Sequence, residues 1–404
     1  MNLIVLKISD VRMQDKKQDV FKNSKIKVPF FYPSISKEDQ LAVKNALNLP
    51  LLTDGPLLRK FEDNFAKFTG AKYAIGVSNA TSALHLSLKS LGVTRGDEVI
   101  IPDMTFVATA SSVLFTGATP VVADIDNDLN ISIESIEKSI TKKTKAILPV
   151  HFAGKICNID KIRKIAKNNN LKIIEDCAHA IGTRKKGKHA GTFGDAGCFS
   201  FYPTKNFTTI EGGMIITNSK DVAKYVLTAR NHGLTRSLSN RFSSGKPWDY
   251  DVVEPGYNYR LDEIRSALGV NQLKRIKKLN LQRKNAAKYY YSKLKAVEGI
   301  ESPEILNNNN HVYHLHIIKI KKSFGISRDD LFKKLLSEGI RTSVHYKPLH
   351  KFTMFTKKGK IYDDIINSEK AYSEIISLPM YPNITKKEQD AVIQTIKNSR
   401  YKER

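Results

Sequence analysis

The chain has 404 residues, 41% of them hydrophobic and 26% charged, the composition of a soluble globular protein with room for about two or three domains. Its 66 Lys and Arg against 40 Asp and Glu give a formal charge of +26, but they are scattered in short groups such as RKKGK (184–188) and KRIKK (274–278). The bias is therefore read as compositional, and neither nucleic acid nor a membrane is expected as a partner. Cys157, Cys177 and Cys198 are the only cysteines and show no C-x-x-C spacing. Neither a disulfide framework nor a zinc or iron–sulfur site is thus indicated, no metal is expected, and a reducing, cytoplasmic setting is favoured.

In chain order, residues 1–27 are polar and without clear period, and read as a loosely held extension rather than a signal peptide, because Lys7 interrupts the apolar opening. From 28 to 270, short β-rich runs alternate with helical patterns: YAIGV (73–77), EVIIP (98–102), TPVVAD (119–124), KAILPV (145–150), KIIED (172–176), GCFSF (197–201) and GMIIT (213–217). Helix-length segments such as 81–91 and 158–169 lie between them, the signature of βαβ units and a buried, mainly parallel sheet. Residues 104–123 are uncharged and long enough to span a bilayer, but Gly117, Pro120 and many Ser and Thr make helix, turn and strand the better reading. A smaller α+β domain is expected over 271–404, with a basic helix at about 271–296, a strand-like HVYHLHIIKI (311–320), a helix near 328–338 and a final helix after Ile384.

Ligands of parallel α/β sheets bind beyond the carboxyl ends of the strands. KIIED ends in Asp176, with His179 three residues on, and Lys205 follows GCFSF at the same rim. The helix opened by Ala80 and Thr81 offers free N–H groups suited to a phosphate. Phe106 sits in the loop after EVIIP, where it could face a planar ligand. Taken singly, each has an ordinary explanation: Asp as a cap or turn former, Thr as a cap, Phe as core, Lys as a surface cation.

Together and in this order they resemble the DegT/DnrJ/EryC1/StrS family of pyridoxal-phosphate-dependent nucleotide-sugar aminotransferases, of fold type I. The resemblance runs from VPFFYPSIS (28–36) to SLPMYPNIT (377–385), through TDGP (53–56), IIPDMTFVATASSV (100–113), ILPVHFAG (147–154), IIEDCAHAIG (173–182), FSFYPTKN with EGGM (199–214), RNHG (230–233), PGYNYRLDEIRSALG (255–269) and VHYKPLH (344–350). It implies a large cofactor domain with a mainly parallel seven-stranded sheet, and the smaller C-terminal domain. It also implies that Lys205 forms a Schiff base with pyridoxal phosphate and, once freed, moves a proton between substrate and cofactor, which requires a lowered pKa.

On the same resemblance Asp176 pairs with the pyridine nitrogen, His179 meets the phenolic oxygen and Phe106 stacks on the ring. Ala80, Thr81 and Ser200 hold the phosphate, and Asn258 reaches it from a neighbouring subunit, so that the site needs a homodimer. Arg260, His345 and Tyr346 are candidates for contacts to substrate. Ala80 departs from the Gly of many relatives. The presence of Lys205 and the lack of cluster cysteines set aside the dehydratase and iron–sulfur branches. The reaction implied moves an amino group from glutamate to a keto sugar of a nucleoside diphosphate, with the cofactor passing between its pyridoxal and pyridoxamine (PMP) forms, for amino-sugar and surface-glycan biosynthesis. A 4-keto-6-deoxy sugar is favoured; a 3-keto sugar, or a keto-cyclitol with glutamine as donor, are alternatives. A non-catalytic basic binding protein on the same fold is the competing class, against which intact Lys205 and Asp176 argue.

Overall fold

The structure is a computed structural model that describes residues 26–236, 248–306 and 308–400, so residues 1–25 of the expected extension lie outside it. Helix α1 (Lys37–Ala46) starts at a capping box between Ser36 and Asp39. Helix α2 (Pro56–Thr69) has proline in its first turn and ends on Gly70 at φ 82°. The chain then alternates through β1 (Tyr73–Val77), α3 (Ala80–Ser90), β2 (Glu98–Pro102), α4 (Ala108–Phe115), β3 (Thr119–Ala123), α5 (Ile133–Lys138), β4 (Thr144–Ile147), α6 (Ile159–Asn168) and β5 (Lys172–Asp176). A hairpin of β6 (Arg184–Lys185) and β7 (Lys188–His189) precedes β8 (Ala196–Ser200), β9 (Gly213–Thr217) and α7 (Lys220–Ala229). Then follow α8 (Glu263–Leu294), β10 (Ile300–Glu301), β11 (His316–Ile320), α9 (Arg328–Ser337), α10 (Thr353–Lys358), β12 (Lys360–Ile361), α11 (Ile366–Glu374), β13 (Ile375–Leu378) and α12 (Lys386–Ser399).

The main sheet has the order β1-β9-β8-β5-β4-β2-β3-β12. Strand β9 is antiparallel to β1 and β8, and the remaining pairs are parallel. Seven of its strands are the seven expected runs. The eighth, β12, corrects the expected count: it comes from the C-terminal part of the chain, and two residues are too short to carry a period-two pattern.

Successive strand residues face opposite sides. Ile100, Val121, Ile147 and Ile173 pack with Phe61 and Phe65 of α2, Ile162 of α6 and Ile276 of α8. Val99, Ile101, Val122 and Ile174 pack with Leu84 and Leu88 of α3, Val113 of α4 and Val226 of α7. The sheet is therefore covered on both faces, which aligns the carboxyl ends of its parallel strands along one open rim. A second, antiparallel sheet, β10-β11-β13, supplies Ile318, Ile320, Ile376 and Leu378 to a core with Leu331 of α9 and Ile393 of α12.

Helix α8 begins at an Asp262 cap and runs for 32 residues, earlier than the expected start at 271 and straight through the 270/271 position. A side chain at Gly269 would meet the Phe61 ring at 2.6 Å, so this glycine permits close packing on α2 rather than ending the helix. The expected strand at 311–320 is regular only from His316. Its first half turns through Tyr313 (φ 51°) and pairs with residues 153–155 instead.

Candidate active site

Strand alternation sends the two acids at the end of β5 to opposite sides. Asp176 is 6% exposed and its carboxylate accepts from Thr109 Oγ1 at 3.1 Å and from the Ala178 N–H at 3.0 Å. Burial pushes this carboxyl up from its ordinary value, while the Ala178 N–H, Lys205 and Thr109 pull the other way. Glu175 faces inward, meets His151 at 2.8 Å and accepts the N–H groups of Gly191, Phe193 and Gly194 at 2.8, 2.7 and 2.7 Å. His151, Glu175 and Cys177 lie close enough together to hold a metal ion. However, these donors already engage the Glu175 oxygens, and the group serves to anchor the 191–194 loop.

At the end of β1, Asn79 caps α3 by accepting from the Ser82 N–H at 2.8 Å. The N–H groups of Ala80 and Thr81, in the first turn, have no intrahelical acceptor and carry the positive end of the helix dipole. Gly213 of β9 pairs with Val77 on one side and Ser200 on the other, which brings this helix start and Ser200 to one edge. A side chain at Gly213 would lie 2.5 Å from the Asn79 carbonyl and 2.9 Å from the Ala80 nitrogen.

β8 ends at Ser200, and a turn through Pro203, closed by the Lys205 N–H on Tyr202 O (2.9 Å), aims Lys205 into a pocket shared with Phe30, His314, His345, Tyr346 and Met380. Burial lowers the amine to about 8, partly opposed by the Asp176 carboxylate and helped by Arg283. The imidazoles around it are neutral: burial and then Lys205 push His345 down to about 3, and His179 and His314 fall well below their ordinary value. Tyr346 Oη and His179 Nε2 are 3.2 Å apart, whereas His179 Nδ1 is buried without a partner. The His314 ring lies tilted against that of His179, centroids 4.3 Å apart, and His345 Nδ1 lies 2.8 Å from Ser377 Oγ. The Phe106 ring, 57% exposed, is 6.0 Å from that of Tyr346.

Thus Asp176, His179, Lys205, His345, Tyr346 and Phe106 converge, with Ala80, Thr81 and Ser200 along the same rim. Asn258 and Arg260 do not join them in the single chain. Asn258 is exposed and pairs with Asn231, and Arg260 donates to Asn231 Oδ1 at 2.8 Å beside a separate cavity lined by Arg59 and Arg230. Sequence reasoning missed Thr109, Asn206, Arg283, His314 and Ser377. Arg283 and His314 lie in stretches read only as helix or strand, and Thr109, Asn206 and Ser377 in quoted motifs without a role of their own; only their packing against the site singles them out.

A profile of the DegT/DnrJ/EryC1/StrS aminotransferase family matches residues 33–397. The chain belongs to this family. Among its relatives, a spore coat polysaccharide biosynthesis protein of Bacillus subtilis (strain 168), SpsC, is 38% identical over 375 residues, covering 92% of this chain and 96% of that protein. The structure superposes on Helicobacter pylori PseC, an aminotransferase of pseudoaminic acid biosynthesis, with TM-score 0.86 and 32% identity over 92% of this chain and 99% of that one. A sugar aminotransferase of Streptococcus pneumoniae, Spr1654, described as putative and solved in its PLP form, matches with TM-score 0.84 and 30% identity over 92% and 98%. In Spr1654, then, the fold seen here recurs with the cofactor present.

Proposed function

We propose that this aminotransferase moves an amino group from glutamate to the keto carbon of a nucleoside-diphosphate sugar, most readily a 4-keto-6-deoxy sugar, in the cytoplasm and for amino-sugar and glycan synthesis. The observation that carries the proposal is a desolvated amine, Lys205, facing a buried, hydrogen-bonded carboxylate, Asp176, at the open rim of a parallel sheet. The residues fit pyridoxal phosphate. Asp176 suits a protonated ring nitrogen, the unpartnered Nδ1 side of His179 leaves a buried polar atom for the ligand to satisfy, and the first turn of α3 with Ser200 suits a phosphate. When bound, the cofactor carries the amino group and supplies an electron sink for the adjacent carbanion.

Within that frame Lys205 would hold the cofactor and, when released, its neutral Nζ would take the proton from the amine-bearing carbon and return it. Phe106 and Tyr346 would exclude water from the two sides of the ring, and His345 would position the sugar. Incubation of a panel of nucleotide keto sugars with glutamate, followed by mass spectrometry, tests the reaction. The expected result is replacement of a carbonyl oxygen by an amine on one sugar class. Lys205→Ala should lose at least about 100-fold in rate while still binding the cofactor noncovalently. Failure of every keto sugar with a cofactor-loaded protein, or full activity in Lys205→Ala, would sink the proposal.

A further inference from the structure

Helix α8 brings one more charge to the pocket. Arg283 is 2% exposed, and its Nη1 donates to the carbonyls of His314 (3.1 Å) and Met380 (3.0 Å), while its Nε is buried without an acceptor. Among the described residues it has no ion-pair partner, and burial alone acts on it, lowering it to about 9, so it stays charged at neutral pH. His314 and Met380 line the same cavity as Lys205. One turn earlier on α8, Asn280 accepts from the side chain of Asn206, the residue after Lys205, at 2.7 Å, and donates to Ile181 O at 3.0 Å. The helix therefore grips the pocket from both sides, the lysine turn through Asn280 and the opposing wall through Arg283.

A buried guanidinium without a counter-ion is costly, and an apolar side chain of similar length would fill the same space more cheaply. The groups around Lys205 are Asp176 from β5, His179 from the loop beyond it, His314 ahead of β11, and His345 and Tyr346 from the 345–346 segment, with Arg283 of α8 behind the His314–Met380 wall and close enough for its charge to act on the amine. The imidazoles are neutral and the Tyr346 hydroxyl is held protonated by burial, which leaves Asp176 as the anion and Arg283 as the neighbouring cation at neutral pH.

We propose that Arg283 is a positioning residue of the amino transfer: a deliberately unpaired cation that fixes the His314–Met380 wall and whose charge favours the neutral amine of Lys205. Arg283 would act only through Lys205, and so depends on Lys205 being the reactive amine proposed above.

The test titrates Lys205 directly in the full-length protein freed of cofactor, a form in which Spr1654 has been solved. Trace acetylation with acetic anhydride from about pH 6 to about pH 10, read on the Lys205 peptide by mass spectrometry, gives its midpoint. Arg283→Gln keeps a donor for the two carbonyls but removes the charge; Arg283→Lys keeps the charge. The Gln variant should raise the midpoint by about one pH unit, which slows labelling at neutral pH about tenfold, and should move the acid limb of kcat/KM by the same amount. The Lys variant should keep the original midpoint even where its melting temperature falls. An unmoved midpoint in the Gln variant, or equal shifts in both, overturns the inference. Should the Gln variant not fold, the Lys variant decides: a retained midpoint supports the role of charge, and a shift of about one unit overturns it. A wild-type protein inactive on every keto sugar would remove the reaction and leave this titration readable.

Discussion

Thr109 donates one hydrogen bond to the Asp176 carboxylate, on the side opposite the Ala178 N–H. In a buried site a hydrogen bond to a charged group contributes about 1.5–3 kcal/mol. The isosteric Thr109→Val should therefore leave a less stabilised carboxylate and weaken cofactor retention roughly tenfold to a hundredfold, measured by the absorbance lost on dialysis. Unchanged retention would show that the Ala178 N–H alone suffices. Lys205 and Asp176 were singled out in the sequence not by position alone, one after a strand and one ending a strand at the same rim, but by their order with Ala80, Thr81 and Phe106, which resembles that of the family. Thr109 was not, because a threonine in the first turn of a helix has an ordinary explanation until its partner, 67 residues away in the chain, is placed beside it.

Between elements, two joints set the shape of the site. The segment bearing His345 and Tyr346 is pinned to the end of β2. Asp103 accepts the His350 N–H at 3.0 Å and lies 2.7 Å from His350 Nδ1, while Glu369 lies 3.1 Å from Nε2. The hydrogen bond to Asp103 raises the His350 pKa above its ordinary value, with Glu369 acting the same way. A raised folded-state pKa means that the stabilisation is complete below the unfolded value of 6.5 and is lost as pH rises through the higher folded value. The melting temperature lost in His350→Gln should thus be larger near pH 6 than near pH 8.5, and an equal loss at both would count against the ion pair. The second joint is Gly213, where β9 crosses the start of α3. Gly213→Ala must push Asn79 or Ala80 aside, which should cost about 1–3 kcal/mol in unfolding free energy and weaken phosphate-bearing ligands more than ligands without a phosphate. Equal weakening of both would mean that the helix start is not the anion site. These joints escape the sequence because each closes between residues far apart in the chain, as the Gly-Gly at 212–213 shows: read alone, it is only a turn signal.

At the scale of the whole molecule, the buried strands were read nearly to the residue because covered parallel strands are continuous apolar runs, as in EVIIP and TPVVA. The start of α8 was misjudged because Gly269 resembles a helix end until Phe61 is seen against it. Asn258 lies outside the pocket of its own chain, as a residue donated to a second copy would. If the chain forms a homodimer that shares its sites, mixing Lys205→Ala with Asn258→Ala dimers should restore about a quarter of the wild-type rate, because about half the reassorted dimers carry one intact site. No recovery on mixing would argue for self-contained subunits. The terminal strand β12 has a consequence of a different kind. It lies against β3, and Lys360 and Tyr362 beside it each reach Glu98 at 2.8 Å. With only two residues and a lysine at its start, it seals the exposed margin of β3 yet offers an incoming chain almost no backbone to pair with. Were β12 displaced, the five residues of β3 would present an apolar, unpaired edge open to an incoming strand.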